Sequence, residues 1–193
     1  MGKLDLVKGL GDALSKGLKN IGSKSKSDAA KPATPKRGGV GVAQRKKSSA
    51  EIGKCGEQLA KQDMEADGFE VVEVQNKSGH GIDLIGRNKD GNVKVWEVKT
   101  TEGTKAPSLS KDQSRLGGED FTNDRLKRAT EGQGNYGKVP EAKKNAKKVK
   151  NWIKKSNGKV SYEKYEVFID DSIDGCAKHP SRAAKPKPWP GKK

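Results

Sequence analysis

Between Ser48 and Gly68 the apolar positions Ile52, Cys55, Leu59 and Met64 return at helical spacing among charged residues. That pattern predicts a helix with serine at its N-cap and Gly68 as its stop. The next run, Phe69-Glu70-Val71-Val72-Glu73-Val74-Gln75, is valine-rich and gives way to Asn76-Lys77-Ser78-Gly79-His80-Gly81, as a short strand would. Residues 82–87 and 93–100 read as two further strands flanking Asn88-Lys89-Asp90-Gly91-Asn92, where the Asp-Gly pair marks a tight hairpin turn. Beyond them, 101–118 is loop-like, 121–130 carries a weak helical signal and 132–137 is a break. Residues 140–155 are clearer: Ala142, Ala146, Val149 and Ile153 form an apolar stripe beside many lysines, with Pro140 suited to the first turn. A last strand is expected over 160–170, VSYEKYEVFID. The predicted order is α-β-β-β-α-α-β, without internal repeats.

The ends read differently. Over 1–23, Leu4, Leu6, Val7, Leu10, Leu14, Leu18 and Ile21 make an amphipathic segment weakened by interior glycines, either a surface helix or a docking and delivery element. Residues 24–47 turn to Lys, Ser, Ala, Pro and Gly, the composition of a flexible basic linker. The Pro- and Lys-rich residues 178–193 are expected to be a disordered tail, which leaves 48–177 as the folded domain.

Composition narrows the function. The 193 residues carry 41 Lys plus Arg against 25 Asp plus Glu, a net charge of +16, with only 30% hydrophobic residues. Such a balance favours a polyanionic partner, nucleic acid first. No membrane span and no conventional signal peptide are expected. Cys55 and Cys176 lack the spacing of a zinc ribbon and allow at most one disulfide.

The chemistry concentrates in Gly81-Ile82-Asp83-Leu84-Ile85 and Trp96-Glu97-Val98-Lys99-Thr100. Carboxylates inside apolar strands are costly unless compensated. If Lys89-Asp90-Gly91 forms a three-residue loop with Gly91 left-handed, Asp83 lies opposite Glu97 and Gly81 opposite Lys99, while Ile82, Leu84, Trp96 and Val98 fill the other face. A two-residue Asp90-Gly91 loop would shift the register and separate the carboxylates, unless a bulge restored it. Opposed carboxylates make most sense around Mg²⁺ or Mn²⁺, with Lys99 orienting or stabilising an attacking water. That is phosphodiester-hydrolysis chemistry. A surface hairpin with a Lys-carboxylate network is the structural alternative.

Asp83 followed by Glu97-Val98-Lys99 resembles the signature of the PD-(D/E)XK nucleases, the restriction-endonuclease-like fold, with Ile82 where the family name has proline. Gly56-Glu57-Gln58-Leu59-Ala60 is similar to the Gly-Glu helix of resolvase-like members. The resemblance implies a central mixed sheet flanked by helices, Asp83 and Glu97 as metal ligands, Glu57 as an extra ligand, and Lys99 acting on water or transition state. Segments around Ser110, Gln113, Phe121 and Arg125 are similar to nuclease domains of bacterial polymorphic toxins. Together these imply an antibacterial effector, delivered to act in a target-cell cytoplasm and neutralised by an acidic immunity protein.

Around that centre, His80 and Gln113 are candidates to contact phosphate, and Lys143, Lys144, Lys147 and Lys148 to track a nucleic-acid backbone, with Trp152 either stacking on a base or buried. The expectation is thus a metal-dependent endonuclease of low sequence specificity, DNA favoured over RNA. A tRNA-cleaving toxin, a junction-resolving or phage nuclease, and a non-catalytic nucleic-acid-binding protein are the alternatives.

Overall fold

A computed structural model describes residues 46–172 and 175–191. The expected segment 1–23 and nearly all of the expected linker 24–47 lie outside the described residues. Helix α1, Ser49–Ala66, starts where predicted: the Ser48 side chain accepts the Glu51 N–H and the Glu51 carboxylate accepts the Ser48 N–H, a reciprocal cap. Gly68, at φ 82°, turns the chain out of it. Strands β1 (Phe69–Gln75), β2 (Gly81–Asn88) and β3 (Val93–Thr101) follow, then α2 (Lys111–Glu131), a 3₁₀ turn (Gly134–Lys138), α3 (Pro140–Lys155), β4 (Val160–Phe168) and β5 (Lys185–Pro188).

The strands form one sheet in the order β1-β2-β3-β4-β5, mixed because β3 and β4 run parallel while the other neighbours are antiparallel. One side is covered by α1: Cys55, Leu59, Ala60 and Met64 pack on Leu84, Trp96, Val98, Tyr165 and Val167. The Trp96 and Tyr165 rings stack there at 3.9 Å. The other side is covered by α2 and α3, whose Leu126, Ala129, Ala142, Ala146, Val149 and Trp152 pack on Val74, Ile82, Ile85, Val93 and Val95. Trp152 is therefore a core residue, with Lys148 over its ring at 5.1 Å. The architecture is α/β, a mixed sheet between helices, and no helix among the described residues is long and apolar enough to cross a membrane.

The hairpin has the three-residue loop: Asn88 and Asn92 close it, Gly91 sits at φ 82°, and the Asn88 carboxamide oxygen accepts the Asp90 and Asn92 N–H groups. Leu84 accordingly pairs with Trp96 and Ile85 with Val95. One expectation fails. Ile82, expected beside Leu84, Trp96 and Val98, packs on the α2 and α3 side. The cause is a bulge: Val72 pairs with Ile85 and Val74 with Ile82, so β2 carries one more residue than β1 between those pairs.

The segment expected to be loop-like, 101–118, contains the start of α2, which begins at a Ser110–Gln113 cap and bends at Gly117. The tail also departs from expectation. Lys178 bridges Ile169 and its ammonium pairs with Asp63, and β5 extends the sheet. Trp189, 5% exposed, packs on Phe121 and donates its indole N–H to the Gln113 carbonyl at 3.1 Å. One buried indole with a satisfied N–H anchors a strand that composition alone reads as disordered. Cys55 and Cys176 are disulfide-bonded with Cα atoms 5.4 Å apart, tying α1 to the segment before β5.

Candidate active site

The residues singled out from the hairpin meet at one end of the sheet, where β2 and β3 part. Regular pairing stops at Leu84 and Trp96. One step further, the Asp83 carboxylate accepts the Val98 backbone N–H at 2.9 Å, so a side chain takes the place of the ladder. The bulge at Asp83 and Leu84 is what re-aims this side chain. On β3, Lys99 donates to Glu97 at 2.6 Å, the two side chains being 19% and 5% exposed. The second Glu97 oxygen is buried without a hydrogen-bond partner.

Glu57 reaches the site from α1. The helix can lie this close because Gly56 faces Thr100: a Cβ at Gly56 would stand 1.7 Å from the Thr100 hydroxyl oxygen. Glu57 does not join Asp83 directly. The Gln75 carboxamide nitrogen donates to Glu57 at 3.3 Å and to Asp83 at 3.2 Å, bridging the two carboxylates. Gln75 was not anticipated; the only sequence sign of it is a polar residue ending a valine-rich strand. Among the described residues no group of three or more His, Cys, Asp or Glu side chains is arranged to hold a metal ion.

The electrostatics follow from crowding acids in a buried place. Burial first, then the charges of Glu97 and Glu57, push the Asp83 carboxyl well above the ordinary aspartate value, against the opposing pull of the Val98 N–H and Lys99. Burial also raises Glu57, with Glu73 and Glu97 adding to it and the Gln75 hydrogen bond opposing. Two carboxylates resist ionisation and a third has a lone oxygen. Such a cluster has unmet demand for positive charge, and Asp83 and Glu97 supply oxygens of the hard type that Mg²⁺ and Mn²⁺ prefer.

His80 is exposed in the β1–β2 turn, where its backbone is held by Asn76. Gln113 caps α2: its carboxamide oxygen accepts the Ser110 N–H at 2.8 Å. Lys143 and Lys147 are exposed on α3, while Lys144 pairs with Glu141 and Lys148 with Glu70. Lys144 and Lys148 line a groove of about 540 Å³ with Lys61, Asn145, Gln75 and Asn76. The groove thus runs from α3 to the residue that bridges Glu57 and Asp83.

No protein-family model, no curated protein and no solved structure matches this chain.

Proposed function

We propose that the chain is a metal-dependent nuclease of PD-(D/E)XK type, with a restriction-endonuclease-like fold, hydrolysing the phosphodiester bonds of DNA with low sequence specificity. The observation that carries the reading is the buried, unpartnered Glu97 oxygen beside the ionisation-resistant Asp83, with Lys99 fixed on the other Glu97 oxygen. Asp83 and Glu97 would hold Mg²⁺ or Mn²⁺. Two carboxylates suffice, because Mg²⁺ commonly completes its shell with water and substrate phosphate. When bound, the cation supplies charge to the phosphate and makes an attacking water more acidic.

The chain's own groups do the rest. Glu97 holds the Lys99 ammonium at the mouth of the site, where it can orient the attacking water or meet the charge that develops on the phosphate. The Val98 N–H fixes the Asp83 carboxylate, and Gln75 ties that carboxylate to Glu57, which acts as a positioning residue for Asp83. Lysines on α3 and along the β1 groove give phosphate affinity without reading bases, as low specificity requires.

We read the biological role as that of an antibacterial effector toxin, delivered into a target cell and neutralised by a cognate acidic immunity protein. Its support is the resemblance to toxin nuclease domains and the +16 charge, which an acidic inhibitor would complement.

The test is incubation of purified protein with plasmid DNA and total tRNA, in Mg²⁺, Mn²⁺ or EDTA, beside Asp83→Asn and Lys99→Ala. DNA degradation that needs metal and falls at least about a hundredfold in both variants supports the reading. Degradation of tRNA alone moves the substrate to RNA. Cleavage of neither polymer under either metal removes the nuclease.

A further inference from the structure

Strand β4 carries a second charged pair beside the first. The parallel register sets Lys164 against Glu97 and Glu166 against Lys99. In-register neighbours share a face, so the four side chains make a block of alternating sign at the site end of the sheet. Lys164 donates to one Glu166 oxygen at 2.9 Å, and Lys187, from β5, reaches the other at 2.7 Å. Burial would raise Glu166, but the hydrogen bonds from Lys187 and Lys164 hold its carboxyl below the ordinary glutamate range, so it is ionised at neutral pH.

Lys164 and Glu166 are only 15% and 10% exposed. Stability alone does not call for such a pair, since well-packed apolar residues of similar volume serve as well or better. The geometry leaves work for the charges. Each ammonium has three donors, and one donor each is used on Glu166. Among the paired side chains of β3, β4 and β5, Lys99, Lys164 and Lys187 outnumber Glu97 and Glu166 by one positive charge.

We propose that Lys164 and Lys187, held on the two oxygens of Glu166, form a phosphate subsite that grips a backbone phosphate of the polynucleotide adjoining the one at Glu97 and Lys99. The subsite rests on the nuclease reading for its ligand. It also gives β5 a role: the C-terminal strand brings half of the subsite, and Trp189 anchors that strand on α2.

The experiment reads binding alone, so it stands apart from cleavage. Fluorescence anisotropy of a labelled DNA duplex and an RNA of the same sequence is followed in EDTA for the full chain and for Lys164→Gln and Lys187→Gln. Lys89→Gln, in the exposed hairpin turn at the far end of the sheet, controls for loss of one charge. Each subsite variant is expected to weaken binding about fivefold to tenfold and to lower the slope of log affinity against log salt by about one, with Lys89→Gln under about twofold. Lys164→Arg should restore binding. If Lys164→Gln does not fold, Lys187→Gln decides by itself, because its side chain is 55% exposed. Subsite variants binding no worse than Lys89→Gln, or no binding of either polymer by the wild type, would overturn the proposal. Binding that depends on Lys164 and Lys187 in a chain that never cuts would keep the subsite and discard the nuclease.

Discussion

Asp83 accepts the Val98 backbone N–H at 2.9 Å where strand pairing would otherwise continue. β2 and β3 are thus joined at the site end through an acid side chain that is itself held in an unfavourable setting.

That setting has a sign. The folded-state pKa of Asp83 is raised, so the stability its protonated form contributes is present below the ordinary value of 3.8 and is lost as pH climbs through the raised value. Asp83→Asn keeps an oxygen for Val98 and removes the charge. In EDTA it should raise Tm at pH 7 by on the order of 2–4 °C and have little effect near pH 3, while abolishing cleavage. Thermal unfolding at the two pH values checks this; a lower Tm at pH 7 would contradict it.

Gly53 and Gly56 share α1 and should respond oppositely to alanine. Nothing lies within 4 Å of a Cβ at Gly53, whereas one at Gly56 collides with Thr100. Gly53→Ala should stabilise by about 0.5–1 kcal/mol through helix propensity. Gly56→Ala should cost about 1–3 kcal/mol and lower activity, because α1 must move and takes Glu57 with it. Urea unfolding of both variants measures the difference.

The disulfide closes a long loop, Cys55 and Cys176 being 121 residues apart in sequence. On the chain-entropy account its loss costs about 4–5 kcal/mol, so Cys176→Ser, or reductant, should move the urea midpoint sharply downward. An unchanged midpoint would mean that the bond constrains neither state.

Trp189→Ala should destabilise by about 3–5 kcal/mol, a large effect for a residue so near the end of the chain. The measurement is again equilibrium unfolding, and a loss below about 1 kcal/mol would show that β5 is held by its strand pairing and not by the indole.

The hairpin, its register and the meeting of Asp83, Glu97 and Lys99 were legible because turn chemistry and side-chain alternation are local. What escaped depends on contacts distant in sequence. Gly117 and Gly118 look like helix breakers. Gly117 does bend α2, at φ 73°. Gly118 is required by closeness, since a Cβ there would lie 2.4 Å from the Tyr162 Cβ. Gln75 is unremarkable until α1 brings Glu57 to it. Lys164 and Glu166 read as the polar side of an alternating strand, and only the parallel pairing with β3 sets them beside Glu97 and Lys99. The Lys-Pro alternation of β5 has the composition of a disordered tail, but it suits the edge of a sheet.

That edge is where Pro186 and Pro188 bear on behaviour in concentrated solution. Trp189 donates its backbone N–H inward to Tyr162, so by alternation the two prolines face away from β4 and present no N–H to a newcomer. A sheet closed to addition on one side cannot polymerise by stacking edge upon edge. Among the described residues, β5 is thus an edge that resists the addition of another strand.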